Sequence, residues 1–103
     1  MALPTTAPSN KLWISAGLKV TPGNAPEDVK AALVALQQET VKEHGCNHFD
    51  LLQHKDDPSR FTLWEEWINE EALQQHFQAK HTKDYLAQSF TNVEYIEKLE
   101  KLT

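Results

Sequence analysis

Cysteine is nearly missing from this sequence. Cys46 stands alone among 103 residues, so no internal disulfide can form and a thiolate metal cluster is excluded. A reducing cytoplasm fits that usage. Basic patches are missing too. Ten Lys and Arg against fifteen Asp and Glu leave a net charge of −5, and without a basic face there is nothing to hold nucleic-acid phosphates. No apolar run approaches the roughly 20 residues of a membrane span. The opening MALPTTAPSNK lacks the positive start and apolar stretch of a secretory signal. Phosphate-cradling glycine loops, a Gly-x-Ser-x-Gly elbow and a dinucleotide fingerprint are all absent. These absences point to a small cytoplasmic protein with neither a nucleic-acid nor a membrane partner.

What is present reads as one compact unit. Residues 1–10, rich in proline, threonine and serine, read as a flexible arm, and residues 11–103 form the domain. Leu12–Val20 carries the residues of a strand, with Gly17 marking a bulge or a close backbone approach. Asn24-Ala25-Pro26-Glu27 starts a helix, Val29, Leu33, Leu36 and Thr40 recur at helical spacing, and Gly45 is expected to stop it. Cys46–Gln53 and Arg60–Ile68 alternate as strands. Asn69 caps a second helix, Thr82 is expected to cap a short third one, and Val93–Leu99 reads as the last strand, with Val93, Tyr95 and Leu99 on one face.

The order β-α-β-β-α-β, with the second helix broken, specifies an α+β, ferredoxin-like (split β-α-β) fold. Its four-stranded antiparallel sheet has helices on one face. The other face, supplied with Trp13 or Ile14, Leu52, and Trp64 or Trp67, needs cover as well, and a sheet-to-sheet homodimer is the economical solution.

The chemistry concentrates in Arg60–His81. His76 lies on the edge of an apolar helix face, either as a boundary histidine or as a proton carrier facing a pocket. Glu65 and Glu66 point to opposite sheet faces, so at most one reaches that pocket. His76 and His81, five residues apart, lie on different helical faces unless the helix break reorients them, and no carboxylate sits at i+3 or i+4 of His76 to complete a metal site. Cys46 reads as buried and inert.

Gly45-Cys46 with Phe49, Asp57-Pro58 before Arg60-Phe61, Leu63-Trp64-Glu65-Glu66-Trp67, Glu71-Ala72-Leu73, His76 and His81 together resemble the antibiotic biosynthesis monooxygenase domain family over about residues 11–100. The resemblance implies a dimeric α/β-barrel with a pocket between sheet and helices. For many members it also implies oxidation of quinols or polyketide-type phenols by dioxygen without flavin, haem or metal. On that basis the expected function is a cofactor-independent monooxygenase acting on a small aromatic substrate. His76 is its base or donor, Glu66 the carboxylate orienting it, Trp67 a wall, Phe49 and Tyr85 the floor, and His81 a second polar contact. The alternative is a non-catalytic, small-ligand-binding or stress-related dimer. Two departures narrow the choice. The haem-degrading branch pairs its helix histidine with an asparagine in the first strand, and Leu12–Val20 has none. A branch acting on a phosphorylated sugar derivative would want basic residues in the pocket, and Arg60 is the chain's only arginine.

Overall fold

A computed structural model describes residues 11–102; the expected arm over residues 1–10 lies outside them. The elements are β1 (Leu12–Val20), α1 (Pro26–Thr40), β2 (Cys46–Gln53), β3 (Arg60–Trp67), α2 (Glu70–Gln78), α3 (Lys80–Ala87) and β4 (Thr91–Leu99). The strands form one antiparallel sheet in the order β2-β3-β1-β4. This is the ferredoxin-like α+β arrangement expected from the sequence. No described helix is long and apolar enough to cross a membrane.

Alternation sorts the sheet residues. Ile14, Ala16, Leu18 and Val20 of β1 face inward with Phe49 of β2 and with Phe61, Leu63, Glu65 and Trp67 of β3. Helix α1 buries Val29, Leu33, Leu36 and Thr40 against that face. Trp67, Phe61, Leu33 and Val29 are among the most completely enclosed side chains; burial of each contributes about 1.5–3 kcal/mol. Trp13 and Trp64 lie on the opposite face, their rings 5.5 Å apart. Leu52, Tyr95 and Leu99 share that face and stay exposed.

Several local expectations are corrected. Helix α1 is capped by Ala25, with Pro26 opening its first turn; Asn24 instead donates to Thr21 Oγ1 at 2.6 Å. The helix stops at Thr40, ahead of Gly45, in a run of tight turns: Lys42 N–H donates to Glu39, Glu43 N–H to Thr40 and Cys46 N–H to Glu43. Gly45 has no left-handed backbone. It is small because a Cβ there would collide with Ala72 of α2. Thr82 lies inside α3, whose cap is Ala79. A bulge between Gly17 and Leu18 in the β1–β4 pairing sets Val93 against Leu18 on the inner face and Tyr95 against Gly17 on the outer one, so Val93 and Tyr95 do not share a face. By contrast, Asn69 does cap α2, its Oδ1 accepting from Ala72 N–H at 2.8 Å.

Gly17 serves both expected purposes, for the bulge lies beside it and the Tyr95 ring lies over it. Any Cβ at this position would enter the van der Waals envelope of that ring. Gly17→Ala is therefore expected to destabilise the fold by about 1–3 kcal/mol, the usual cost of overpacking. Urea unfolding checks this, and an unchanged midpoint would show that Tyr95 moves aside freely.

Candidate active site

Between the inner sheet face and helices α2 and α3 lies a cavity of about 300 Å³, at the lower end of the range for small-molecule sites. Its walls are mainly aliphatic and aromatic: Ile14, Leu36, Phe49, Leu63 and Leu73 deep inside, with Phe77, Leu86, Val93 and Ile96 at the mouth. All four mouth residues are exposed: Phe77 on α2, Leu86 on α3, and Val93 and Ile96 on β4. The lining also carries Glu65, His76, Thr82 and Tyr85, with Glu70, Gln74 and Lys98 at the rim. Lys98 forms an ion pair with Glu70 that ties β4 to α2.

His76 projects from the buried side of α2, 5% exposed, with Trp67 packed against it at 4.8 Å between ring centroids and Phe49 at 5.8 Å. Its Nδ1 lies 2.6 Å from Glu43 Oε2. A carboxylate oxygen only accepts, so Nδ1 carries the proton and Nε2 holds the lone pair. Nε2 has no partner among the described residues, on a side chain that lines the cavity. Burial pushes the His76 pKa below its ordinary value, while Glu43 acts the other way. The imidazole is thus neutral and basic at pH 7.

The same Glu43 oxygen accepts from His81 Nε2–H at 2.8 Å. Helices α2 and α3 meet at Ala79, whose extended backbone forms both caps. This break swings His81 round until its ring is 6.0 Å from that of His76. Glu43, His76 and His81 thus bring three ligand-type atoms within 4.8 Å of one another. The sequence spacing did not foresee that grouping. Their shortest separations are those of hydrogen bonds.

Glu65 sits at the middle of the cavity wall on β3, between Ile14 and Phe49 in register. Trp67 Nε1–H donates to its Oε1 at 2.8 Å. Burial raises its pKa from the ordinary 4.5 to about 7, and Glu43 adds to that, while the indole bond opposes it. The Cys46 thiol is pushed up to about 12 by burial, with Glu43 and Glu65 adding to it, which leaves it unreactive.

Three of the expected site residues, His76, Phe49 and Tyr85, line one cavity. Three do not. Glu66 faces away, paired across the sheet with Trp13 and His48, whose rings stack 6.1 Å apart. Glu66 and Trp67 are adjacent in a regular strand, so they cannot share a face, and the carboxylate that orients His76 is Glu43. Trp67 stands behind His76 and Glu65 instead of forming a wall. His81 reaches Glu43 but does not line the cavity. Glu43 carried no sequence signal, since it lies on an irregular turn 33 residues from His76.

The family model for antibiotic biosynthesis monooxygenase matches residues 14–88. The chain belongs to this family. An uncharacterized protein of Bacillus subtilis, YjcS, is 36% identical over 86 residues, covering 84% of this chain and 82% of its own. The solved structure of PA3566 from Pseudomonas aeruginosa superposes with a TM-score of 0.83 at 28% identity, covering 92% of this chain and 97% of that one. SnoaB of Streptomyces nogalater, described as a cofactor-independent oxygenase, shares the fold alone. Its TM-score is 0.77 at 10% identity, over 91% of this chain and 95% of that one.

Two buried ionisable groups, Glu65 and His76, give the family member opposite pH responses. For Glu65 the native state keeps a proton between pH 4.5 and about 7. Its stabilising contribution is therefore complete below 4.5 and lost as pH rises through about 7. His76, with a lowered pKa, contributes fully above 6.5 and loses that contribution as pH falls through the depressed value. Between about pH 5 and 8, the wild type should lose about 2.5 kcal/mol relative to Glu65→Gln. Paired urea titrations test this, and parallel pH profiles would show that Glu65 is ionised in the native state.

Proposed function

We propose that the protein is a cofactor-independent monooxygenase that oxidises a small hydroxylated aromatic, a quinol or polyketide-type phenol, with dioxygen. One observation carries the reading. His76 presents a basic Nε2 to a largely apolar cavity while its Nδ1–H is held by Glu43 at 2.6 Å. This is the arrangement of a general base with an orienting carboxylate. The activity for which the family is named supports the same reading.

The substrate hydroxyl loses its proton to His76 Nε2, and Glu43 stabilises the imidazolium that forms. The resulting anion is electron-rich enough to reduce dioxygen directly, without flavin, haem or metal. For a quinol, one oxygen atom enters a ring carbon and the other leaves as water. The substrate supplies all four electrons and emerges as a hydroxyquinone. Phe49, Leu63 and Leu73 provide walls that exclude water from the anion and strengthen its electrostatic contacts. Tyr85 donates or accepts a bond with Thr91 Oγ1 at 2.8 Å and shapes the floor.

Oxygen uptake with a panel of quinols and anthrones tests the activity. His76→Ala should lower turnover by roughly 10²–10⁴-fold, the usual worth of a general base. Glu43→Gln should shift the rising limb of the pH profile to lower pH, because the carboxylate that raises the His76 pKa is gone. Wild-type protein that binds these compounds without consuming oxygen would leave a binding protein in place of an enzyme.

The reading includes a homodimer through the outer sheet faces. Trp13, Trp64, Leu52, Tyr95 and Leu99 form an apolar surface there, with Trp64 36% and Leu52 53% exposed. Burying such a patch against its copy is the isologous solution. Trp64→Glu should convert the dimer to monomer in solution scattering while circular dichroism stays unchanged; a wild-type monomer would refute the assembly.

A further inference from the structure

The His76–Glu43 pair accounts for proton removal and leaves Glu65 without a part in the reaction. Glu65 is 5% exposed and is a carboxyl group set in a largely apolar stretch of the cavity wall. One of its oxygens, Oε1, is held by the indole N–H of Trp67. The other has no partner among the described residues, although the residue lines the cavity. Satisfying an indole N–H does not require an ionisable group. A carboxyl group in apolar surroundings is costly unless a partner meets it.

We propose that Glu65 is a second substrate-contacting residue. Its unengaged carboxyl oxygen donates a hydrogen bond to the far oxygen of a flat, uncharged, dioxygenated ring whose near hydroxyl faces His76 Nε2. This rests on the oxygenase reading for its catalytic consequence, while its binding consequence stands without turnover. Glu65 keeps its proton throughout. As His76 withdraws the substrate proton, negative charge spreads through the ring, and a donor at its far end lowers the energy of that anion. The same geometry selects against substrates bearing a negative group at that end, which would meet the Glu65 carboxyl group.

Around Glu65, burial and the Glu43 carboxylate favour its neutral form. Glu43 approaches from the turn after α1, His76 from α2 and the Cys46 thiol from the start of β2. Tyr85 of α3 lies on the same cavity wall and is bonded to Thr91. The rim cation, Lys98 of β4, is engaged by Glu70. Ile14 of β1 and Leu36 of α1 contribute only apolar surface.

Anaerobic calorimetry with naphthohydroquinone and its carboxylated analogue tests the proposal. The wild type should bind the uncharged probe, prefer it at least roughly tenfold over the carboxylated one, and lose affinity by roughly tenfold per pH unit above about 7. Glu65→Gln, which offers an amide donor at every pH, should bind without that pH dependence and discriminate less. Carbon NMR of the wild type should show one glutamate carboxyl titrating near neutrality, moved upward by the uncharged probe. No binding by the wild type, the wild-type pH dependence persisting in Glu65→Gln, or a Glu65 titration unmoved by the probe would each overturn the role. Oxygen plays no part in these measurements. The expected binding pattern without oxygen consumption would therefore defeat the oxygenase reading alone. Oxygen uptake whose rate and pH profile are unchanged in Glu65→Gln would defeat the Glu65 role alone.

Discussion

A single carboxylate oxygen, Glu43 Oε2, joins three segments that are far apart in the chain. It lies 2.6 Å from His76 on α2 and 2.8 Å from His81 on α3, while its own backbone belongs to the turn between α1 and β2. Without it the His76 imidazole would have no fixed tautomer, and the side of the ring facing the cavity would be undetermined. The contact also ties the helix pair to the end of α1, and the buried Gly45 lets α2 approach closely enough to make it.

Around this contact the cavity sets two ionisable groups against each other. Burial disfavours the charged form of both, lowering the pKa of His76 and raising that of Glu65. The result near neutrality is a neutral base beside an acid that still holds much of its proton, on one apolar surface. In solution the same two side chains would tend to exchange a proton and form an ion pair. Burial away from water disfavours that exchange, because it penalises both charged forms.

The helices and strands were largely legible from side-chain period. Val29, Leu33, Leu36 and Thr40 announced the buried face of α1, and Asn69 announced the start of α2, because both signals are local. Gly45 and Thr82 were misread because a small or hydroxylated residue near a helix end can serve packing as well as capping. Val93 and Tyr95 were placed together because a bulge between strands leaves no mark in a two-residue alternation.

Residue types and spacing alone determined the family resemblance and the ferredoxin-like order of elements, and the resemblance pointed to His76, Phe49 and Tyr85, which line the cavity. They also showed that Glu65 and Glu66 must diverge, since adjacent strand residues point to opposite faces. Only the tertiary structure decided which of the two faces inward. It alone gave His76 its carboxylate, from a turn 33 residues away, and turned His81 toward it through the break at Ala79. Strand register and helix crossing are set by the packing of whole surfaces, and no short window of sequence carries that information.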